Sequence, residues 1–73
     1  MASEENQSKR IGRRIRAERT AKLIKQEILA KKVSLSKSEI SRIENGQREL
    51  KVSKLYEIAE AIGISASKLI EDE

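Results

Sequence analysis

The chain has 73 residues, with 16 Lys and Arg against 12 Asp and Glu, and contains neither cysteine nor histidine. This length fits one small domain, and the missing residue types exclude disulfides, thiolate nucleophiles and the usual zinc ligands. We therefore expect no metal or cofactor, and a reducing, intracellular compartment. A chain this short buries only about 60% of its unfolded surface, so association with a second copy is an expected source of stability.

The charges are distributed unevenly along the chain. Residues 9–51 carry fourteen Lys and Arg against five Glu, a net charge of +9, and the remainder carries two Lys against six Glu and one Asp, a net charge of −5. A basic body between acidic ends indicates a polyanionic partner, of which nucleic acid is the commonest. A solvated, solubilising surface is the alternative interpretation.

Helix signals recur along the whole chain after a short tail. Proline is absent, glycine is rare and good helix formers dominate, which predicts an all-α fold. We expect a flexible N-terminal tail over residues 1–7 and one domain over residues 8–73. The predicted helices cover residues 8–22, 26–33, 36–45, 52–62 and 65–70. The apolar residues expected to face inward are Ile11, Ile15, Ile28, Leu29, Val33, Ile40, Ile43, Val52, Leu55, Ala59 and Ile62.

The third predicted helix has a clear start, a clear end and a polar exposed side. Ser36 and Glu39 form the S-x-x-E pattern of a capping box, and an Asn-Gly pair at 45–46 ends the helix. Helical periodicity places Ser38 and Arg42 opposite the apolar side. Short hydroxyls allow a helix to approach a surface closely, and arginine can bind guanine O6 and N7 in the major groove. The pattern therefore favours a base-reading surface, with a solvated helix face as the alternative.

The turn before this helix completes a known arrangement. Two short helices separated by Ser34, Leu35 and Ser36 have the spacing of a helix-turn-helix, which needs an apolar residue inside its turn. The segment from 24 to 46, IKQEILAKKVSLSKSEISRIENG, resembles the helix-turn-helix domains of the Xre, Cro and phage-repressor family. Flanking segments, RRIRAER at 13–19 and LYEIAEAIGIS at 55–65, extend the resemblance to nearly the whole chain. It implies a compact five-helix, lambda-repressor-like domain.

The resemblance also implies roles for individual residues. Residues at the DNA-contacting positions of the family are Gln26, Ser36, Lys37, Ser38, Arg42, Asn45 and Arg48. Ser41 lies next to them, within expected reach of a base or a phosphate, and Lys25 stands where a phosphate would dock and is expected to add a phosphate contact. Ser36 serves first as a helix cap. An arginine of the first helix pairs with the glutamate of Ile-Glu-Asn-Gly in this family, which implies a structural ion pair between Arg19 and Glu44. Arg13 and Arg16 of the first helix either extend the basic footprint or serve solubility.

Three positions depart from the family pattern. Lys25 stands where a Ser or Thr caps the second helix, which costs about 1 kcal/mol of helix stability. Ser34 replaces the usual turn glycine, which costs about 1–2 kcal/mol if the backbone stays left-handed. Leu50 stands where many members have proline, a variant that resembles small stand-alone regulators such as the controller proteins of restriction–modification systems.

The resemblance implies a cytoplasmic, bacterial or phage-encoded transcriptional regulator that binds a palindromic operator in double-stranded DNA as a homodimer. We expect neither a membrane partner nor a small-molecule ligand, and RNA polymerase is kept open as a further partner. An antitoxin that binds both its operator and a toxin protein is the main alternative, and a protein-interaction module without DNA is another. The residues expected at the dimer interface are Tyr56, Ile58, Ile64, Leu69 and Ile70.

Catalysis is not expected from this sequence. Ser-x-x-Lys, the spacing of a serine nucleophile with a lysine base, occurs at residues 34–37 and 65–68. Both copies lie in predicted serine-rich turns, where no cleft removes water from the lysine. We therefore expect a binding protein and not an enzyme.

Overall fold

The computed structural model describes residues 6–71, which form five α-helices and no β-strand. In chain order these are α1 (Gln7–Ala21), α2 (Gln26–Lys32), α3 (Lys37–Glu44), α4 (Val52–Ile62) and α5 (Ser67–Ile70). The predicted all-α, five-helix architecture is therefore confirmed. Within this described part, the helices are all too short or too polar to cross a membrane.

Helix α1 begins at Gln7, although the sequence predicts that the N-terminal tail extends through residue 7. Its N-cap is Asn6, whose side-chain oxygen accepts a hydrogen bond from the backbone N–H of Lys9 at 2.9 Å. An Asn side chain in this position satisfies one of the free N–H groups of the first turn. Asn6 and Gln7 therefore belong to the helix and its cap, and the rest of the predicted tail, residues 1–5, lies outside the described residues.

The core lies between the helices and takes side chains from all five. Its buried members are Ile15, Leu29, Ala30, Val33, Ile40, Ile43, Leu55, Ile58, Ala59, Ile62, Ala66 and Leu69. Two residues predicted to face inward do not, because Ile28 is 44% and Val52 is 68% exposed. Helix α2 turns Leu29 and Ala30 to the core instead, and α4 buries Ile58 on a stripe that starts one turn after Val52.

Helices α1 to α4 all end in the same way, with a residue of positive φ. These residues are Leu23 (φ 60°), Ser34 (φ 58°), Gly46 (φ 73°) and Gly63 (φ 92°). The N–H of the next residue then bonds back to the carbonyl five positions earlier, as in Ile24 to Arg19 at 3.1 Å and Gln47 to Arg42 at 2.9 Å. This is the Schellman arrangement, which reverses the chain sharply. The chain therefore reverses direction directly after each of these helices and returns to the core.

Replacing Ser34 by glycine is expected to raise the free energy of unfolding by about 1 kcal/mol. The left-handed conformation costs a residue with a Cβ about 1–2 kcal/mol, and the greater freedom of glycine in the unfolded chain offsets about 0.5–1 kcal/mol of that gain. Thermal or urea unfolding would measure the change. Ser34→Ala is the matched control, since it removes the hydroxyl but keeps the Cβ, and equal stabilisation by both variants would contradict the strain argument.

Candidate nucleic-acid interface

Helices α2 and α3 are joined by the tight turn that the sequence predicts. Ser36 caps α3: its Oγ accepts from the N–H of Glu39 at 3.1 Å, and Glu39 Oε1 accepts from the N–H of Ser36 at 2.8 Å. The predicted capping box is therefore present. Leu35 is half-buried against the core, so the turn is held both by hydrogen bonds and by apolar packing.

The outward side of α3 carries the residues predicted to read bases. Lys37, Ser38 and Arg42 are exposed and Ser41 is half-buried, whereas Ile40 and Ile43 on the opposite side are buried. We call these four outward residues the reading surface. Together with Gln26 they line one shallow depression between α2 and α3. The structure thus brings five of the predicted contact residues to a single place.

A second basic depression adjoins the first and shares Gln26 and Lys37 with it. Its lining adds Arg16 of α1 and Lys25 at the start of α2, both exposed. Lys25 makes no side-chain capping bond to α2, in agreement with the lost cap predicted from the sequence. Glu27 also lines this depression, and its Oε1 lies 3.9 Å from Lys37 Nζ. A largely basic surface with this one exposed carboxylate therefore runs from α1 across the start of α2 to the reading surface.

A nearly buried ion pair ties α1 to the end of α3. Arg19 Nε donates to Glu44 Oε2 at 2.6 Å and its Nη2 donates to Oε1 at 3.1 Å. The side chains of Arg19 and Glu44 are only 12% and 2% exposed. Gln26 joins the same carboxylate, with its Nε2 donating to Glu44 Oε1 at 3.0 Å. The predicted pair is therefore present, and it also fixes the side chain of the first residue of α2.

Asn45 is the C-cap of α3 and Arg48 follows it in the next turn, and both are exposed. Arg48 is paired: its Nη1 lies 2.6 Å from Glu39 Oε2. The S-x-x-E pattern predicts only the capping role of Glu39, and no local pattern predicts an ion pair between residues nine positions apart across a turn.

Glu39 is held in its ionised form by these contacts. The hydrogen bond from the backbone N–H of Ser36, followed by that from Arg48, lowers its pKa from 4.5 to about 2. Since the folded pKa lies below the unfolded value, the stabilisation is complete above about pH 4.5 and is lost as the pH falls towards 2. Both contacts therefore persist throughout the physiological range of pH.

The residues predicted for a dimer interface are divided by the structure into two groups. Tyr56 and Ile70 are exposed and Ile64 is half-buried. Ile58 and Leu69 are completely buried in the core of the single chain, so their side chains have no surface to offer a second copy, and their assignment to the interface is corrected. The exposed pair borders an apolar groove between α1, α4 and α5 that is also lined by Ile11, Leu50, Val52 and Leu55.

Comparisons with known proteins agree with this geometry. The helix-turn-helix family model matches residues 15–69. A curated relative, the uncharacterized transcriptional regulator in the ATPase CF(0) region of Rhodospirillum rubrum, is 34% identical over 62 residues, which are 85% of this chain and 57% of the relative. The chain thus spans little more than half the length of that relative.

Two solved structures are similar over most of both chains. The restriction-modification controller protein C.AhdI from Aeromonas hydrophila superposes with a TM-score of 0.80 at 34% identity, covering 84% of this chain and 88% of that one. The P22 c2 repressor protein, solved in complex with a synthetic operator, gives a TM-score of 0.77 at 32% identity, covering 86% and 96%. This family is one of regulators and not a class of enzymes. The chain therefore belongs to the helix-turn-helix family of DNA-binding transcriptional regulators, as its resemblance to Xre, Cro and phage repressors predicted.

Proposed function

We propose that this protein controls transcription as a cytoplasmic homodimer that binds a palindromic operator, with α3 of each copy in the major groove of one half-site. The observation that carries the proposal is the reading surface, which presents two exposed cations, one exposed hydroxyl and one half-buried hydroxyl on the side of α3 opposite Ile40 and Ile43. The major groove admits one α-helix, and dimers of this motif place their two reading helices one helical turn of DNA apart.

The residues around the reading surface suit contacts with the phosphate backbone. Lys25 and Gln26 lie at the start of α2, where Gln26 adjoins the reading surface, and Asn45 and Arg48 follow the end of α3. Contacts of this kind fix the register of a protein on the duplex, while base contacts supply sequence preference. In this arrangement Arg42 and Ser38 read bases between two rows of phosphate contacts.

Arg42→Ala is expected to cost about 1–3 kcal/mol of operator binding and to relax the preference at one base pair. Arg42→Lys is the matched variant, because it keeps the charge but loses the planar fork that binds guanine at two points. Binding to the operator and to single-base variants of it would be measured by fluorescence anisotropy. An equal loss on every sequence, or wild-type discrimination by the lysine variant, would show that Arg42 contacts a phosphate.

The apolar groove beside α4 and α5 is the surface that we propose for the second copy. Tyr56, Val52 and Ile70 are large side chains that remain exposed there. Covering them removes apolar area from water, which stabilises a dimer of so small a domain. Of the residues first expected at the interface, Tyr56 and Ile70 are the ones that this surface retains, with Ile64 at half-burial.

Enrichment of random-sequence duplexes over several rounds, combined with sedimentation of the protein alone, tests the proposal. An inverted repeat with half-sites about 34 Å apart, bound by a protein that sediments as a dimer, is the expected result. A single half-site bound by a monomer would overturn the dimeric operator. Binding that depends steeply on salt but enriches no sequence would leave phosphate contacts alone, and no retention at low salt would point to a protein partner such as a toxin.

A further inference from the structure

Glu39 and Arg48 form an ion pair beside the reading surface that neither the capping of α3 nor base contact explains. Glu39 uses one carboxylate oxygen for the N–H of Ser36 at 2.8 Å and the other for Arg48 Nη1 at 2.6 Å. Each oxygen can still accept a further hydrogen bond, but these two bonds hold the carboxylate against the start of α3 and against Arg48. Its negative charge therefore acts first on the guanidinium of Arg48.

The sharp turn after α3 holds the pair in place. The N–H of Gln47 bonds back to the carbonyl of Arg42 at 2.9 Å, which directs the next residue, Arg48, along the flank of α3. Gly46 makes this turn with φ 73°, and a Cβ there would lie 2.7 Å from the Cα of Lys9. Glycine at this position lets the turn adopt a positive φ and pass close to α1, and the turn brings Arg48 beside Glu39.

Stability alone does not account for the pair. The side chains of Arg48 and Glu39 are 41% and 33% exposed, and ion pairs this exposed contribute little to folding. Their position matters more for binding. Non-specific affinity for duplex DNA is set by the number of cations free to meet phosphates, and Arg48 is an exposed cation that follows α3 closely in the chain. A carboxylate fixed on this guanidinium cancels the charge that it would bring to any duplex.

We propose that Glu39 is a specificity-determining residue: it neutralises and orients Arg48, so that Arg48 does not add a freely moving cation to complexes with non-specific DNA. Arg48 then contacts a phosphate only where the docked geometry of the operator brings one to its remaining N–H groups. The ligand concerned is the phosphate backbone of duplex DNA. This inference rests on the proposed binding of DNA by α3.

Glu39→Gln separates the two roles of the residue. Glutamine also serves as the third helical residue of a capping box, so the variant keeps the bond to the N–H of Ser36 while it loses the charge that holds Arg48. Glu49→Gln is the matched control, because Glu49 is exposed in the same loop and carries the same charge. Arg48→Gln and the double variant Glu39→Gln/Arg48→Gln complete a cycle. Equal melting temperatures would verify that the variants remain folded.

Binding of the full chain to a mixed-sequence duplex is measured as a function of salt. For Glu39→Gln we expect tighter binding and a plot of log affinity against log salt that is steeper by about 0.9, the value of one added phosphate contact. Relative to wild type, its affinity gain at about 50 mM salt should exceed that at about 200 mM by roughly threefold to fourfold. In the Arg48→Gln background the Glu39 substitution should leave the slope unchanged.

Three results would overturn the inference, and the last of them can be distinguished from the first two. If wild type binds the duplex but Glu39→Gln and Glu49→Gln change the slope equally, or if the Glu39 effect survives in the Arg48→Gln background, the effect is one of net charge and Glu39 has no special role. If wild type shows no binding even at low salt, the proposed binding of DNA fails, and the role of Glu39 fails with it.

Discussion

Replacing Arg19 by methionine is expected to lower the free energy of unfolding by about 3–5 kcal/mol, the usual cost of removing one partner from a buried ion pair. Arg19 supplies two of the three side-chain hydrogen bonds that Glu44 receives, and Gln26 supplies the third. Its Nη1 also donates to the carbonyl of Ile24 at 2.7 Å. The variant would thus leave a carboxylate that is 2% exposed without a counter-charge.

The expected loss is large compared with the stability of such a domain. At about 0.05–0.15 kcal/mol per residue, a chain of this size has only about 4–11 kcal/mol in total. Urea unfolding monitored by circular dichroism would measure the change. The same pair joins α1 to α3 and fixes Gln26, so the variant should also bind DNA less well at temperatures where it remains folded.

Two comparisons isolate the contribution of the ion pair. Arg16→Met removes an exposed arginine from the same helix, and surface changes of this kind stay within about 0.5 kcal/mol of wild type. The double variant Arg19→Met/Glu44→Met removes both charges, and we expect it to be more stable than Arg19→Met, because no unpaired carboxylate remains. If the double variant is instead the less stable of the two, the pair is not the source of the loss.

Gly12→Ala is expected to lower the free energy of unfolding by about 3 kcal/mol, at the upper end of the usual cost of overpacking. By helix propensity alone this change inside α1 would gain about 1 kcal/mol. The structure reverses the sign, because a Cβ on Gly12 would lie 2.8 Å from the carbonyl oxygen of Glu44. The obstacle is backbone and not a flexible side chain, so α1 and α3 would have to move apart.

Ala17→Gly gives the opposite comparison within α1. Ala17 is exposed, so helix propensity alone determines the effect of the change. We expect the free energy of unfolding to fall by about 1 kcal/mol. Thermal unfolding of both variants would measure the two changes. A stabilised Gly12→Ala variant would mean that α1 and α3 do not approach each other so closely. Because α3 carries the reading surface, the destabilised variant should lose operator affinity as well.

Local signals in the sequence were sufficient to place the helices. The S-x-x-E capping box at 36–39 and the Asn-Gly pair at 45–46 brought the bounds of α3 within one residue of those observed. Such signals work because a cap satisfies backbone groups only a few residues away. The outward residues of α3 were equally predictable, since a short helix with two buried isoleucines leaves little freedom in which side faces out.

The wrong predictions concern residues whose burial depends on packing against neighbouring helices. Both Val52 and Ile58 fit the helical period of α4, and only the packed neighbours determine that Ile58 is buried and Val52 exposed. The prediction of Leu69 at a dimer interface has the same cause. The sequence shows that Leu69 is apolar, but it does not show whether the same chain or a second copy covers the side chain. Burial depends on contacts between helices, and the spacing of apolar residues within one helix does not predict those contacts.

The sequence by itself determined the helical class, the helix-turn-helix and the reading surface, because each depends on residues within one or two turns of one another. The tertiary structure alone decided which apolar residues remain for a partner, how closely α1 approaches α3 at Gly12, and that Arg48 returns to Glu39. These features arise when the Schellman turns reverse the chain and bring distant residues into contact, and the energy of such contacts depends on burial and distance, which exist only in the folded molecule.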